Sequence, residues 1–441
     1  MESQGPVEEK LDFKKILPVF VIVLVDLLGL TIIIPLLPLY AAAFGATPVL
    51  IGLLSSAYPV LQFFGAPVLG RLSDRFGRKP VLMISQIGTL AGFLLLGFAN
   101  SLLLLFISRL IDGLSGANIA TAQAIIADST TEKTRTQGLG LIGAAFGLGF
   151  IIGPLIAFIA LALSNNDFHA PAFVAAFFSA ISILLTWFLL KETKKSPGAE
   201  HSAEKIESSP GLKGFSKAFR LPGIALLLVL IFAQQIAFGG FEQLLSLFTL
   251  NRLGLNASGN AVIFVFVGVV VVLVQGYFIG RWSRRLGDRK LILLGLSTLA
   301  LGLLLMAFTP AQPPPWYDRE ELVQQLNAEA GETASADHLS IAIPDEEDRG
   351  LAGIGWLLVM MIPAGIGGGV LQPGINSLIT KRVSSGDHGG ILGVSTSMIS
   401  GANVLAPLMG GVLFQVHSGL PFIVWGLILG LLLLIALRFV K

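Results

Sequence analysis

Long apolar runs separated by short polar segments fill the chain from residue 16 to residue 438. Each run is about 20 residues long, enough for a helix to cross roughly 30 Å of hydrocarbon. The pattern therefore predicts an all-α membrane protein. We number its twelve predicted spans 1 to 12: 16–40, 49–70, 81–99, 102–126, 138–161, 171–190, 223–249, 260–280, 291–308, 351–378, 389–414 and 421–438.

A polar stretch between spans 2 and 3, GRLSDRFGRKP from Gly70 to Pro80, returns in altered form between spans 8 and 9. The copy, GRWSRRLGDRK, begins at Gly280, 210 positions later, and keeps both glycines, the serine and two of the arginines. This repetition predicts a duplication into two pseudo-symmetric six-helix bundles, at 16–190 and 223–438. A segment at 1–15 precedes them, and a linker at 191–222, rich in Lys, Glu, Ser and Pro, joins them.

The first of these stretches is a candidate gate. Gly70 permits close helix approach and Gly77 a tight turn, while Arg75 and Arg78 suit an anionic lipid face. Asp74 is the single carboxylate among cations, and a fixed negative charge beside a helix end can favour one packing arrangement over another. The alternative is a positively charged turn that only fixes membrane topology.

Composition and charge agree with membrane insertion. Charged residues make up 13% of the chain, against roughly 25% in soluble domains. With both termini in the cytoplasm, 25 of the 29 Lys and Arg residues fall on the cytoplasmic side, which predicts that orientation in a cell membrane. The segment 309–350 is then external, holds ten acidic residues against two arginines, and is interpreted as a solvated insertion.

Four charged residues lie within the predicted spans, namely Asp26, Arg109, Asp112 and Glu242. Each is costly in hydrocarbon, by about 2.5–3.5 kcal/mol on insertion scales, and usually faces a cavity or a partner. Asp26 lies about 15 Å into span 1, and Arg109 is close enough to pair with Asp112 on one face of span 4. These four are candidates for proton coupling. A static ion pair is the alternative for Arg109 and Asp112.

Other intramembrane residues offer packing or polar contacts. In span 5, Gly153 and Pro154 end a run of small residues that predicts close packing and a kink. Amide side chains are candidates for a substrate cavity; they are Gln62, Gln123, Gln234, Gln235, Gln372 and Asn376. The sequence contains no phosphate-binding loop, no metal-ligand spacing and no cysteine, so we expect no cofactor, no metal, no nucleic-acid partner and no enzymatic activity.

These motifs together resemble the major facilitator superfamily, and within it the tetracycline-efflux group of drug:proton antiporters. The resemblance implies that Asp74 stabilises the outward-facing state against span 11, that Arg109 assists proton transfer, and that Gly153 and Pro154 mark export. One departure is Gly92, which stands in span 3 where tetracycline pumps carry an acidic residue.

We therefore expect a proton-driven antiporter that exports an amphipathic small molecule by alternating access. Asp26 is the first candidate for the coupling site and Glu242 the second. The expected partners are the substrate, protons and the lipid bilayer, and we expect a monomer. Two alternatives stay open at this point: proton-linked uptake of a metabolite, and a membrane receptor that uses the acidic external segment and transports nothing.

Overall fold

The computed structural model describes residues 13–116, 118–130, 134–192, 216, 219–221, 223–330, 339–383 and 388–439. Most of the predicted segment 1–15 and of the linker 191–222 lies outside them. We number fifteen α-helices in these residues: α1 (Phe13–Ile33), α2 (Leu37–Ala43), α3 (Pro48–Phe76), α4 (Arg78–Gly97), α5 (Leu102–Ser115), α6 (Asn118–Ser129), α7 (Arg135–Leu163), α8 (His169–Leu189), α9 (Ile224–Leu253), α10 (Ala257–Leu273), α11 (Ile279–Met306), α12 (Arg319–Ala330), α13 (Ala352–Arg382), α14 (His388–Val416) and α15 (Leu420–Phe439).

Ten of the helical stretches in the described residues are long and apolar enough to cross a membrane. Two features account for the difference from twelve predicted spans. Span 4 is divided into α5 and α6, which are 14 and 12 residues long. Spans 8 and 9 are joined in one 50-residue stretch, in which Gly287 leaves the helical conformation at φ 73° and ψ 164°. The described residues form an all-helical membrane fold, and the count of twelve crossings stays a prediction.

The helices pack in two groups. Helices α1, α3, α4, α5, α7 and α8 contact one another, and α9, α11, α13, α14 and α15 form the second group together with α10. We call these the first and second groups; the predicted domain boundaries are not tested by this packing and stay predictions. The two groups meet chiefly where α3 packs on α14 and α7 packs on α10.

The closest approach between the groups lies at the predicted external ends of α3 and α14. A Cβ atom on Gly52 would lie 3.3 Å from the Cα atom of Gly411, so the two backbones touch because neither residue has a side chain. Nearby, the Ser56 hydroxyl donates to the carbonyl oxygen of Val404 at 2.9 Å. The predicted external face is therefore closed in this structure.

Candidate functional site

A small cavity of about 20 Å³ lies among α1, α3, α4, α5 and α6. Its polar lining comes from Asp26 on α1, Tyr58 on α3, Asp112 on α5 and Asn118 on α6, and Thr89 on α4 also faces it. The remaining lining is apolar or glycine; it consists of Leu27, Leu30, Phe93, Gly116 and Ile119. In this conformation the cavity has room for about one water molecule, and several polar groups converge on it.

Asp26 is held at one oxygen and unpaired at the other. Its Oδ2 atom accepts a hydrogen bond of 2.8 Å from the Asn118 amide, and the Oδ1 atom is buried without a hydrogen-bond partner. Asn118 is itself fixed, because its Oδ1 atom accepts a hydrogen bond from the Ser85 hydroxyl. Because Asp26 lines this small cavity and its Oδ1 atom has no hydrogen-bond partner, the carboxylate has a place to bind a proton.

The break in span 4 brings these groups together. Helix α5 ends at Ser115 and α6 begins at Asn118, so Asn118 occupies the first position of the new helix. Gln62 on α3 donates to the carbonyl oxygen of Gly116 at 2.7 Å and to the Tyr58 hydroxyl at 3.0 Å, which ties α3 to the same break. Interrupted helices are tolerated within membranes where they line a cavity.

Arg109 and Asp112 form the ion pair that their spacing predicts. The Arg109 Nη1 and Asp112 Oδ2 atoms are 3.2 Å apart, and both side chains are only 2% exposed. The guanidinium also lies 5.5 Å from the ring centroid of Phe93, a cation–π contact. A Cβ atom on Gly92 would lie 2.9 Å from the Asp112 Cβ atom, so a side chain at position 92 would displace Asp112.

Glu242 lies in the second group, on α9, and does not line the cavity of Asp26. It is seven positions from Gln235 and so shares its helix face. The Gln235 amide donates to the Asn403 Oδ1 atom on α14 at 2.8 Å, while the Oε1 atom of the buried Gln234 has no hydrogen-bond partner. The structure therefore places two of the proposed carboxylates, Asp26 and Asp112, at one cavity and Glu242 apart from them.

The other predicted cavity amides are dispersed. Gln123 is exposed, and Gln372 is half-buried on α13. Asn376 accepts a hydrogen bond from the Ser395 hydroxyl at 3.3 Å, which joins α13 to α14. The sequence does not single out Tyr58 or Ser85, and it marks Asn118 only as one of several intramembrane amides. The one available signal was the Ser-Gly pair before Asn118, which marks a helix end.

The polar stretch 70–80 is almost entirely helical. Helix α3 runs to Phe76 and α4 begins at Arg78, so the turn is the single residue Gly77, whose φ of 107° favours glycine. Arg75 is exposed and lies over the Phe76 ring, 5.3 Å from its centroid. A Cβ atom on Gly70 would have no heavy atom within 4 Å, so Gly70 mediates no close packing in this arrangement.

Arg78 is the centre of a charge network at this turn. Its Nη1 atom is 2.6 Å from the Asp74 Oδ1 atom, and its Nε atom donates to Asp128 at the end of α6 at 3.0 Å. The Glu192 carboxylate accepts from the backbone N–H groups of Arg78 and Lys79 at 2.9 and 3.1 Å. It thereby caps the positive end of α4. Sequence reasoning did not single out Asp128 or Glu192.

The second group repeats one contact of this network with the charges exchanged. Asp288 stands at the position of Arg78, 210 residues later, and Lys381 stands 253 residues after Asp128. The Lys381 Nζ atom is 2.6 Å from the Asp288 Oδ2 atom. The same contact between a turn and a neighbouring helix end is therefore kept, with its polarity reversed.

The ion pair of Asp288 with Lys381 leads to a prediction about stability. Lys381→Asp sets two carboxylates against each other, and because the Asp288 side chain is 7% exposed we expect a loss of about 1–3 kcal/mol. Adding Asp288→Lys restores an ion pair with the polarity of Arg78 and Asp128, so most of the loss is recovered. Thermal unfolding of the purified variants in detergent checks this, and a double variant less stable than the single one would contradict it.

Gly153 and Pro154 are both buried in α7, where Gly153 packs against Thr31 on α1. The Thr31 hydroxyl donates to the carbonyl oxygen of Leu27 at 2.9 Å, and Leu27 lines the Asp26 cavity. The Gly153–Pro154 segment of α7 thus adjoins the helix that carries Asp26.

The Major Facilitator Superfamily model matches residues 19–318. That range carries the Asp26 cavity, the turn at Gly77 and both copies of the polar stretch. The chain belongs to this superfamily. It is an integral membrane protein with the helix arrangement of major facilitator transporters, as its sequence resemblance predicted.

Several relatives of this superfamily are similar over most of the chain. Tetracycline resistance protein, class B, of Escherichia coli is 28% identical over 90% of this chain and 88% of its own length. Multidrug resistance protein 1 of Bacillus subtilis (strain 168) is 27% identical over 90% of this chain and 88% of its own length.

Two solved structures share the fold. The human organic anion transporter MFSD10 (TETRAN) has a TM-score of 0.61 at 23% identity, over 97% of this chain and all of that one. The nucleoside transporter NupG has a TM-score of 0.65 at 15% identity, over 97% of this chain and 99% of that one.

Proposed function

We propose that this protein is a proton-coupled secondary transporter that exports an amphipathic small molecule across the cell membrane by alternating access. The tetracycline and multidrug resistance relatives support a drug transporter. The observation that carries proton coupling is the Asp26 carboxylate, which faces the cavity among α1, α3, α4, α5 and α6 with one unpaired oxygen. The protein performs transport and not enzymatic chemistry, with the substrate, protons and lipid as its partners, and it acts as a monomer.

In this mechanism a proton and the substrate compete for the same carboxylate. Substrate entering from the cytoplasm displaces the proton of Asp26, and a proton from outside displaces the substrate after the helices have rearranged. Arg109 affects this exchange through Asp112. While the ion pair is formed, Arg109 draws Asp112 away from the cavity, and when the pair breaks, Asp112 is released toward it. Glu242 is the second coupling candidate, and the half-buried amides Gln62 and Gln372, with the buried Gln234, are candidates for substrate contacts in other conformations.

Proton entry supplies sufficient energy for this work. Moving one charge down about 150 mV yields roughly 3.5 kcal/mol. That free energy supports a concentration ratio of a few hundredfold for a neutral substrate at one-to-one exchange. No nucleotide is required.

Gating is the part of the proposal that concerns the turn at Gly77. Asp74 is 59% exposed on its side chain and pairs with Arg78 in this externally closed arrangement. We propose that Asp74, Arg75, Gly70 and Gly77 pack against the cytoplasmic end of α14 when the protein opens outward. Gly153 and Pro154 then let α7 bend between the two forms.

Asp74→Asn tests this role. The substitution keeps the shape of the side chain and removes its charge, so we expect turnover to fall about fivefold to twentyfold while the substrate Kd stays within twofold. Turnover in vesicles and equilibrium binding to the purified protein separate the two effects. If Asp74→Asn instead abolished substrate binding while bound substrate was still transported at the normal rate, Asp74 would belong to the substrate site.

Direction of transport separates the proposal from its alternatives. In inside-out vesicles acidified internally, an exporter that exchanges substrate for protons accumulates tetracycline or a hydrophobic dye. Accumulation only when the exterior is acid would favour the uptake alternative. A receptor would bind its ligand and accumulate nothing under either gradient.

A further inference from the structure

The acidic segment after α11 is folded, and we call its described residues 313–330 and 339–350 the external cap. The Gly350 N–H donates to the carbonyl oxygen of Pro313 at 2.8 Å, so the cap leaves and rejoins the helices at one point. Asp318 caps α12, because its Oδ1 atom accepts from the Glu321 N–H at 2.9 Å. Leu326 packs into the main buried cluster. The cap is therefore a folded insertion, and its acidic run 345–348 is exposed.

The cap is anchored to the second group. The ring of Tyr317 lies against Gly254, directly after α9, and its hydroxyl donates to the carbonyl oxygen of Pro344 at 2.9 Å. Burial raises the pKa of Tyr317 to about 12, so the hydroxyl remains a donor at physiological pH. The Asn251 amide donates to the carbonyl oxygen of Ala342 at 2.8 Å. These contacts hold the two segments of the cap, before and after α12, against the same end of α9.

The cap also reaches the first group. The Ser340 hydroxyl donates to the carbonyl oxygen of Gly45 at 2.6 Å, and α12 packs on α2. Helix α2 is tied to the first group, since the Tyr40 hydroxyl on it donates to the carbonyl oxygen of Ala99 after α4 at 2.7 Å, and it also packs on α9 of the second group. The cap thus bridges the two groups at the predicted external face.

We propose that the external cap is a latch that holds the predicted external ends of the two groups together and lowers the population of the outward-open form. The inference rests on alternating access in the proposed function. Opening outward separates the first group from the second at this face, so the contacts of Ser340 with Gly45 and of α12 with α2 must break in every cycle. Interactions present in only one of two states shift the balance toward that state.

Excision of the cap tests the latch directly. Because the Pro313 oxygen and the Gly350 nitrogen are in contact, residues 314–349 can be replaced by a linker of about three glycines. The natural chain has no cysteine, so Ser56→Cys supplies one reactive thiol at the buried contact with Val404. We expect a membrane-impermeant thiol reagent, added outside, to label it about tenfold faster in the excised chain than in the full chain. Equal labelling rates would overturn the latch.

A cross-link in the full chain provides a second test of the latch if the excised chain does not fold. Phe44→Cys with Ser340→Cys, joined by a short reducible bifunctional thiol reagent, ties the cap to the first group. The matched control joins Asn251→Cys to Ala342→Cys, both on the side of the second group. We expect the first link to slow transport at least tenfold until it is reduced, and the control link to leave transport within twofold. Full transport with the first link intact would overturn the latch.

The two proposals fail in different ways. Labelling of Ser56→Cys requires neither substrate nor a proton gradient, so it reports the latch even if the transported compound is wrong. A full chain that never couples transport to protons would defeat the proposed function. Normal coupled transport with unchanged labelling after excision would defeat the latch alone.

Discussion

Asp26→Asn is expected to abolish uphill transport, so that the accumulation ratio falls from up to a few hundredfold to about one. Asparagine keeps the shape of the side chain and its contact with Asn118 but cannot carry a proton between the two faces. Without that exchange the proton gradient no longer drives the substrate, although downhill movement continues. Glu242→Gln, at the second coupling candidate, is expected to reduce uphill transport in the same way.

Accumulation in inside-out vesicles under an imposed pH gradient measures this effect. The matched control is Glu347→Gln, which removes a carboxylate from an exposed position of the external cap and should change accumulation by less than twofold. Immunoblotting of the membranes confirms equal amounts of protein. Uphill transport at the natural rate in both Asp26→Asn and Glu242→Gln would remove the basis of proton coupling at these sites.

Arg109→Gln is expected to have the largest effect on stability. The Arg109 and Asp112 side chains are only 2% exposed, so removing the cation strands a buried carboxylate. Breaking a buried pair from one side typically costs about 3–5 kcal/mol, whereas replacing both charges is often nearly neutral. The double variant Arg109→Gln with Asp112→Asn should therefore regain most of the stability.

Thermal unfolding in detergent and transport in vesicles separate structure from function in this pair. We expect the double variant to unfold near the temperature of the natural protein and still to transport at least tenfold more slowly, because Arg109 adjoins the Asp26 cavity through Asp112. A double variant that is stable and fully active would show that the pair is a static structural contact.

The apolar pattern predicted where the helices lie, since membrane insertion depends on the composition of each stretch alone. It did not predict that span 4 breaks near Gly116, because α5 and α6 together have the length and hydrophobicity of one crossing. The duplicated polar stretch located the turn, but its single-residue form depends on the backbone of Gly77. Spacing along one helix face predicted the pair of Arg109 with Asp112.

Contacts between distant parts of the chain were beyond prediction. Asn118 reaches Asp26 across 92 positions, and Glu192 caps α4 from 114 positions away. Neither partner has a sequence signature, because an isolated asparagine or glutamate is compatible with many environments. The acidic run 345–348 of the external cap is exposed, as its charge predicts, but the burial of Tyr317 and Leu326 in the cap has no signature in the sequence.

The most direct test of proton-coupled export measures substrate and proton together. The purified protein is placed in liposomes that contain a pH-sensitive dye, and an outward gradient of tetracycline or a hydrophobic dye is imposed with the membrane potential clamped. We expect the lumen to acidify as substrate leaves, and Asp26→Asn to show no such acidification at an equal amount of protein. Alkalinisation of the lumen as substrate leaves, or acidification that persists in Asp26→Asn, would contradict antiport through this carboxylate.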